Sequence, residues 1–267
     1  EYKYMADFSV GRVCSRALEV TPGSVFFFRE PFHDKNDLLP VSPKRHRRTA
    51  KRAAKNGAIM IITYQPLPFK CNSVHCNNVM EAHISMCSYL RQQFDIKTIG
   101  ITGSIGKTST KDMLSEVIRT QYNTVKSERN TNVQVKIGVN IEMLNSSYEA
   151  YIQEIGGGRP GGASRHSRMI CPEITVVTNI GDAHIGNFGS KEKLMENKLA
   201  VIEGMPENGV VYLNCDDPLL ANAKPACETV FFAVHNKQAQ FYAENIEEKN
   251  AKTYFEIVNG NERVPVT

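Results

Sequence analysis

Residues 97–110 read Lys-Thr-Ile-Gly-Ile-Thr-Gly-Ser-Ile-Gly-Lys-Thr-Ser-Thr. The alternation over 98–101 predicts a short strand. Gly103, Ser104, Ile105 and Gly106 predict a turn. Met113, Leu114, Val117 and Ile118 recur at helical spacing just after it. Few other stretches restrict a fold as much, because strand, tight turn and helix must follow one another without a linker. Glycines in such a turn let backbone N–H groups face phosphate oxygens, and the helix N-terminus adds partial positive charge. Lys107 can then reach the β- and γ-phosphates and Thr108 can ligate Mg²⁺. Gly103, Ser104, Gly106, Lys107, Thr108 and Ser109 are the candidate nucleotide contacts. The generic pattern has a glycine five residues before Gly106, where this chain has Ile101. A glycine-rich strand–helix turn with an exposed lysine is the plain alternative.

Upstream, residues 1–94 read as a small α/β domain. Strands are expected over 25–28 and 58–63, and helices over 46–56 and 78–94. The run Lys44-Arg45-His46-Arg47-Arg48 with Lys51, Arg52 and Lys55 holds much of the mild net charge of +4. With Ala50, Ala53, Ala54 and Ala58 interleaved, it reads as the solvated side of a surface helix rather than a nucleic-acid or membrane surface. His83 shares a helical face with Val79, Met86 and Leu90, so it reads as a packed residue. The seven cysteines are odd in number and widely spaced, which implies free thiols and a reducing, cytoplasmic setting. Cys71, His75, Cys76 and His83 fit no common zinc spacing. No run is apolar and long enough to span a membrane.

A second domain is expected over 95–267. Strands are read at 123–125, 151–155, 174–180, 209–214 and 229–234. Helices are read at 139–144 and from Ser190 to about 203, and a hairpin turns at Asn259-Gly260-Asn261. Strands alternating with helices imply a mainly parallel sheet flanked by helices. Ligands in such sheets sit at strand carboxyl ends, where the glycine turn, Glu154, His184 and Asp216 all fall. The fold class is therefore α/β, a small N-terminal α/β domain followed by a P-loop-type sheet. From residue type alone, Glu154 is either a metal ligand or a solvated strand-end carboxylate. His184 is either a ligand or a loop histidine bonded to backbone.

At these residues the chain resembles the Mur ligase family. The carrying segments are the glycine loop through Lys111, Glu154-Ile-Gly, Thr178-Asn179 through His184, Phe188-Gly189-Ser190, and 210–217. The resemblance implies ATP-dependent amide-bond formation in peptidoglycan precursor synthesis, with D-alanyl-D-alanine joined to a UDP-N-acetylmuramoyl peptide through an acyl phosphate. It implies ATP and Mg²⁺ as cofactors, with Thr108, Glu154, His184 and a carbamylated Lys198 at the metals. Lys107, Lys198 and His184 would then be catalytic. It also implies that Ser15, Arg16, Asn130 and Asn132 contact the UDP-sugar peptide, with residues 1–94 as the UDP-substrate domain and 95–267 as the ATP domain. Small molecules, not nucleic acid, are the implied partners.

The chain departs from the family pattern in five places. Ile105 replaces an asparagine and Cys14 an aspartate. No Asp-Gly-His loop follows Phe28, and Gly138 comes about two residues late. The family's Gly-x-His-Asn-x-x-Asn segment is missing, since His235-Asn236 lacks the glycine and the second asparagine. The chain is therefore expected to stop before that segment and before a C-terminal domain, and to fold without ligating.

Two rival functions stand beside the ligase: another P-loop NTPase or kinase, using Asp182 or Asp216 as its strand-end aspartate, and a non-catalytic nucleotide-binding module. Lys198 lies on one helical face with Leu194, Val201 and Ile202. It can snorkel its ammonium to water. The resemblance implies instead that it is buried, with a lowered pKa that lets the neutral amine react with CO₂.

Overall fold

The computed structural model describes residues 12–14, 16–28 and 42–267. It divides into two compact units. One holds the described residues up to Leu90 with Gly138–Met143, and the other holds Arg91–Ile137 with Leu144–Thr267.

The first unit is built on β1 (Arg12–Cys14), β2 (Ser24–Phe27), α1 (Pro43–Lys55), β3 (Met60–Thr63), β4 (Ser73–His75) and α2 (Val79–Gln92, of which the last two residues group with the second unit). The four strands pair in sequence order and all in parallel. Alternation along the strands sorts side chains between two cores. Cys14, Phe26, Phe28 and Ile61 join Ala50 and Ala53 of α1. Val13, Val25, Phe27 and Ile62 join Val79 of α2.

Helix α1 starts before residue 46 because Ser42 Oγ accepts the Arg45 N–H at 3.3 Å and Pro43 needs no N–H partner in a first turn. Its arginines and lysines are exposed as expected, but His46 is not. It lies inward on the Ala50–Ala53 face, 2.8 Å from Thr63 Oγ1 and edge-on to Phe28, and burial lowers its pKa. His83 packs edge-on to Phe27. All seven cysteines are free.

The second unit runs β5 (Lys97–Thr102), α3 (Lys107–Ile118), β6 (Thr124–Lys126), α4 (Gln134–Glu142), β7 (Ala150–Glu154), α5 (Gly162–Ile170), β8 (Ile174–Val177), α6 (Lys191–Leu199), β9 (Val210–Asn214), α7 (Pro218–Ala221), β10 (Glu228–Ala233), β11 (Phe241–Lys249), β12 (Lys252–Asn259) and β13 (Glu262–Val266). Residues from Gly138 of α4 group with the first unit. The sheet order is β13-β12-β11-β10-β9-β8-β5-β7-β6. Pairing is parallel from β6 to β11 and antiparallel across β11, β12 and β13. The hairpin at Gly260 falls where Asn259-Gly260-Asn261 predicts it, with Gly260 at φ 58°. No described helix is long and apolar enough to cross a membrane.

Several expectations need correction. Met113 and Val117 are 71% and 68% exposed. The inward face of α3 is Lys111, Leu114, Ser115 and Ile118, with Leu114 and Ile118 on Ile99, Ile101 and Ile152. The helix expected at 139–144 is α4, which begins five residues earlier. Strand β8 stops at Val177 because Thr178 and Asn179 turn to bond the glycine loop. The helix from Ser190 is α-helical only to Leu199, then 3₁₀ over Ala200–Gly204. There Ser167 Oγ donates to Val201 O, and the Gly204 backbone lies against that of Ser167 and Arg168. Two elements carry little sequence signal. β4 has three exposed residues, and the glycines and polar residues of α5 mask its inward Ala163, Ser167, Met169 and Ile170.

Candidate functional site

The glycine loop leaves β5 at Thr102 and enters α3 at Lys107. At Gly103 the backbone has φ 142°, and a side-chain carbon would fall 1.9 Å from Thr178 Oγ1, so only glycine fits. Gly106, at φ 83°, caps α3 without a side-chain acceptor, and no acidic residue occupies the first turn. The first amides of the helix therefore lack intrahelical partners, and the helix's own first turn supplies no anion to offset them. The loop is fixed from β8 outward. Asn179 brackets the Ile105 peptide, accepting its N–H at 2.9 Å and donating to its carbonyl at 3.0 Å, while Thr178 Oγ1 donates to the same carbonyl at 2.7 Å.

Two lysines meet on one carbonyl of this loop. Lys107 Nζ donates to Gly103 O at 2.8 Å and Ser104 O at 3.0 Å. Lys198 Nζ, reaching from α6, donates to Gly103 O at 2.9 Å. Lys198 is 2% exposed, so it does not snorkel. Burial, then the charge of Lys107, lowers its pKa to about 8. Burial also lowers that of Lys107, against the opposing pull of Glu154.

Glu154 ends β7 at 1% exposure. Both of its oxygens are held: Oε2 accepts from Thr108 Oγ1 at 2.7 Å and Oε1 from Asn132 Nδ2 at 2.6 Å. Its N–H donates to Ser127 Oγ at 3.1 Å. Past the strand, Gly157 O accepts from Asn197 Nδ2 at 3.0 Å, and Gly158 O accepts from Asn187 Nδ2 at 2.7 Å. His184, at φ 69°, lays its exposed ring on Gly158, where a side-chain carbon would come within 3.1 Å of ring atoms. The loop, Lys107, Thr108, Lys198, Glu154 and Asn132 thus form one bonded cluster, with His184 beside the Gly157-Gly158 segment that flanks it.

The remaining candidates lie apart from these bonds. Ser109 is an exposed residue of α3. Asn130 is exposed, and its carbonyl accepts the Asn132 N–H. Arg16 belongs to the first unit, exposed and 3.5 Å from Glu19. Ser15 lies outside the described residues. Asp216 is committed to backbone, accepting from Val234, His235 and Asn236 N–H groups. Asp182 pairs with Lys191 at the surface. Thr178 and Asn179 lie in a segment that carries the family resemblance, but their hold on the loop is not legible in it, and Asn197 carried no sequence signal beyond its polar type.

The donor set fits a Mg²⁺-bound polyphosphate. Among the described residues no three His, Cys, Asp or Glu side chains converge as a metal cage. Mg²⁺ takes one or two carboxylates and completes its shell with phosphate oxygens and water, which matches a single fixed carboxylate beside a hydroxyl. Ser104 Oγ is buried with no partner at the edge of the loop, a donor left for a ligand.

Residues 101–266 match the model of the Mur ligase middle domain. Over 168 residues the chain is 34% identical to the UDP-N-acetylmuramoyl-tripeptide–D-alanyl-D-alanine ligase of Bacillus subtilis, covering 62% of this chain and 36% of that one. It is 24% identical to the same-named ligase of Buchnera aphidicola, covering 100% of this chain and 56% of the relative. The chain thus spans between about a third and somewhat over half of these relatives' length. Among solved structures, the fold matches MurF from Acinetobacter baumannii with a TM-score of 0.78 at 20% identity, covering 96% of this chain and 55% of that one. It also matches the Thermotoga maritima MurF ligase in complex with ADP, with a TM-score of 0.77 at 24% identity, covering 96% and 57%. With the middle-domain match covering more than half of its residues, the chain belongs to the Mur ligase family.

Proposed function

We propose that the cluster around Gly103 is the ATP site of an amide ligase that joins D-alanyl-D-alanine to a UDP-N-acetylmuramoyl tripeptide. The observation that carries this reading is the meeting of Lys107 and the buried Lys198 on one loop carbonyl, with Glu154 fixed against Thr108. The ammonium of Lys107 and the open N-terminus of α3 both favour a polyanion as ligand. The peptide carboxylate attacks the γ-phosphorus, ADP leaves, and an acyl phosphate forms. The dipeptide amine then attacks the acyl carbon, phosphate leaves, and the amine loses its proton. Lys107 exchanges its loop carbonyls for phosphate oxygens and offsets the charge that develops there. Thr108 and Glu154 are the residues that would hold Mg²⁺, whose contribution is charge neutralisation; His184 and Lys198 would serve a second ion.

For Lys198, burial favours the neutral amine. That amine adds to CO₂, releasing a proton and leaving a carbamate on a long arm. In this reading Asn130 and Asn132, with Ser15 and Arg16 of residues 1–94, contact the UDP-sugar peptide, and residues 95–267 take ATP. The commitment of Asp216 to backbone amides speaks against the kinase alternative, which needs a free strand-end aspartate.

The test is ADP release by a protein carrying this chain, with and without UDP-N-acetylmuramoyl tripeptide and D-alanyl-D-alanine. Release that requires both supports the ligase. Release that requires neither identifies an NTPase, and ADP binding without turnover identifies a binding module. Lys198→Ala should lose most turnover and recover part of it with a short carboxylate.

A further inference from the structure

Lys111 is the one lysine of α3 that the proposed chemistry leaves unused, and it is 1% exposed. An ammonium so buried is costly unless its bonds are specific. Its Nζ donates to Arg129 O at 2.5 Å, with Asp112 Oδ1 3.7 Å away. Asp112 is itself drawn to Lys126 at 3.0 Å. Arg129 stands at φ 47°, a left-handed conformation that a non-glycine residue adopts only when held there.

Arg129 lies in the connection from β6 to α4, and residues 127–132 of that connection are bonded to the end of β7 along their length. Ser127 N–H donates to Ile152 O. Gln153 Nε2 donates to Thr131 O at 3.0 Å. Gly156 N–H donates to Asn132 O at 3.1 Å, and Asn132 Nδ2 reaches Glu154 Oε1. Thr108 and Lys111 sit one helical turn apart on α3. The same rigid helix therefore holds one oxygen of Glu154 directly, through Thr108. It holds the other through Lys111, Arg129 and Asn132.

We propose that Lys111 is a positioning residue that fixes residues 127–132 and, through Asn132, the orientation of the Glu154 carboxylate for a divalent cation. The cation's part in this rests on the function proposed above, whereas the holding of the loop does not. The experiment has two readouts on the 267-residue chain, comparing the parent with Lys111→Met and with Lys111→Arg, which keeps a donor. The first is amide hydrogen exchange in the free chain, and the second is ADP affinity with and without MgCl₂.

In Lys111→Met, the Thr131, Asn132 and Gly156 amides should exchange at least tenfold faster. ADP affinity without Mg²⁺ should stay within twofold of the parent, and its enhancement by Mg²⁺ should fall at least fivefold. Lys111→Arg should recover both. Unchanged exchange in Lys111→Met overturns the proposal, as does an equal loss of affinity with and without Mg²⁺, which would place the effect on the glycine loop. Failure of the arginine to rescue, or failure of both variants to fold, also overturns it. A parent whose ADP affinity ignores Mg²⁺ refutes the metal role of Glu154 and of Lys111 together, while the exchange data still separate a held loop from a free one.

Discussion

The two units bury polar side chains in opposite ways. In the first, two buried imidazoles are closed on protein partners: His46 on Thr63 Oγ1 among Phe28 and Tyr64, and His83 against Phe27. Those contacts complete a core and leave nothing to exchange. In the second, a half-buried and a buried lysine meet beside a buried carboxylate that ends a parallel strand. Lys107 and Lys198 share a carbonyl, and Glu154 holds two neutral donors. A neutral carbonyl is a weaker partner for an ammonium than a phosphate, because it brings no opposite charge to offset the ammonium's. The first pattern completes a core, and the second is the arrangement that the proposed ATP site would use.

The sharpest way to break this contrast is Lys107→Ala. ADP affinity should fall by roughly 10²-fold or more, by analogy with the loss of a single charge-stabilising donor in a preorganised site. Chemical unfolding should stay close to the parent's. A stability loss without an affinity loss would put Lys107 among the structural groups.

A pH test comes next. Burial raises Glu142 from 4.5 to about 7 despite Arg12 at 3.4 Å and the Val13 N–H. A raised folded pKa gives stability that is full below about 4.5 and is lost as pH rises through about 7. Urea unfolding should therefore show the parent weakening from pH 4.5 to 7, by up to about 3 kcal/mol. Glu142→Gln should flatten that slope, and an unchanged slope would show that Glu142 is ionised throughout.

Lys198→Met tests whether the second unit gives up stability for its charge. The folded pKa of about 8 lies below the usual 10.5, so the stability of the buried amine is full above 10.5 and lost as pH falls through 8. At pH 7 the methionine variant should be more stable than the parent by roughly 1 to 3 kcal/mol, with the gap closing toward pH 10.5. A less stable variant at pH 7 would make Lys198 a structural partner of Gly103.

The smallest effect is expected from Thr63→Val. It leaves His46 without its hydroxyl at a cost of about 1 kcal/mol and should leave ADP affinity unchanged. A change in affinity would erase the distinction between the units.

Much of the architecture was legible in the chain because its signals are local. The glycine loop, the alternation of strands with helices and the Asn259-Gly260-Asn261 hairpin each rest on spacing and turn chemistry within a few residues. Glu154 was legible because a carboxylate at the end of an apolar strand falls on the ligand side of a parallel sheet. The spacing of Met113, Leu114, Val117 and Ile118 located the helix α3 but not its inward face, since Met113 and Val117 face solvent.

The sequence by itself determined most of the elements, β4 and α5 apart, and placed Glu154 at the end of its strand. Only the tertiary structure decided that Lys198 is buried on Gly103 rather than snorkelled, that His46 turns inward from a basic run, and that Lys111 clasps Arg129. Each of these depends on a partner 17 to 95 residues away. The bonding choice of a long polar side chain is set by what the fold brings within reach, and no local pattern encodes that.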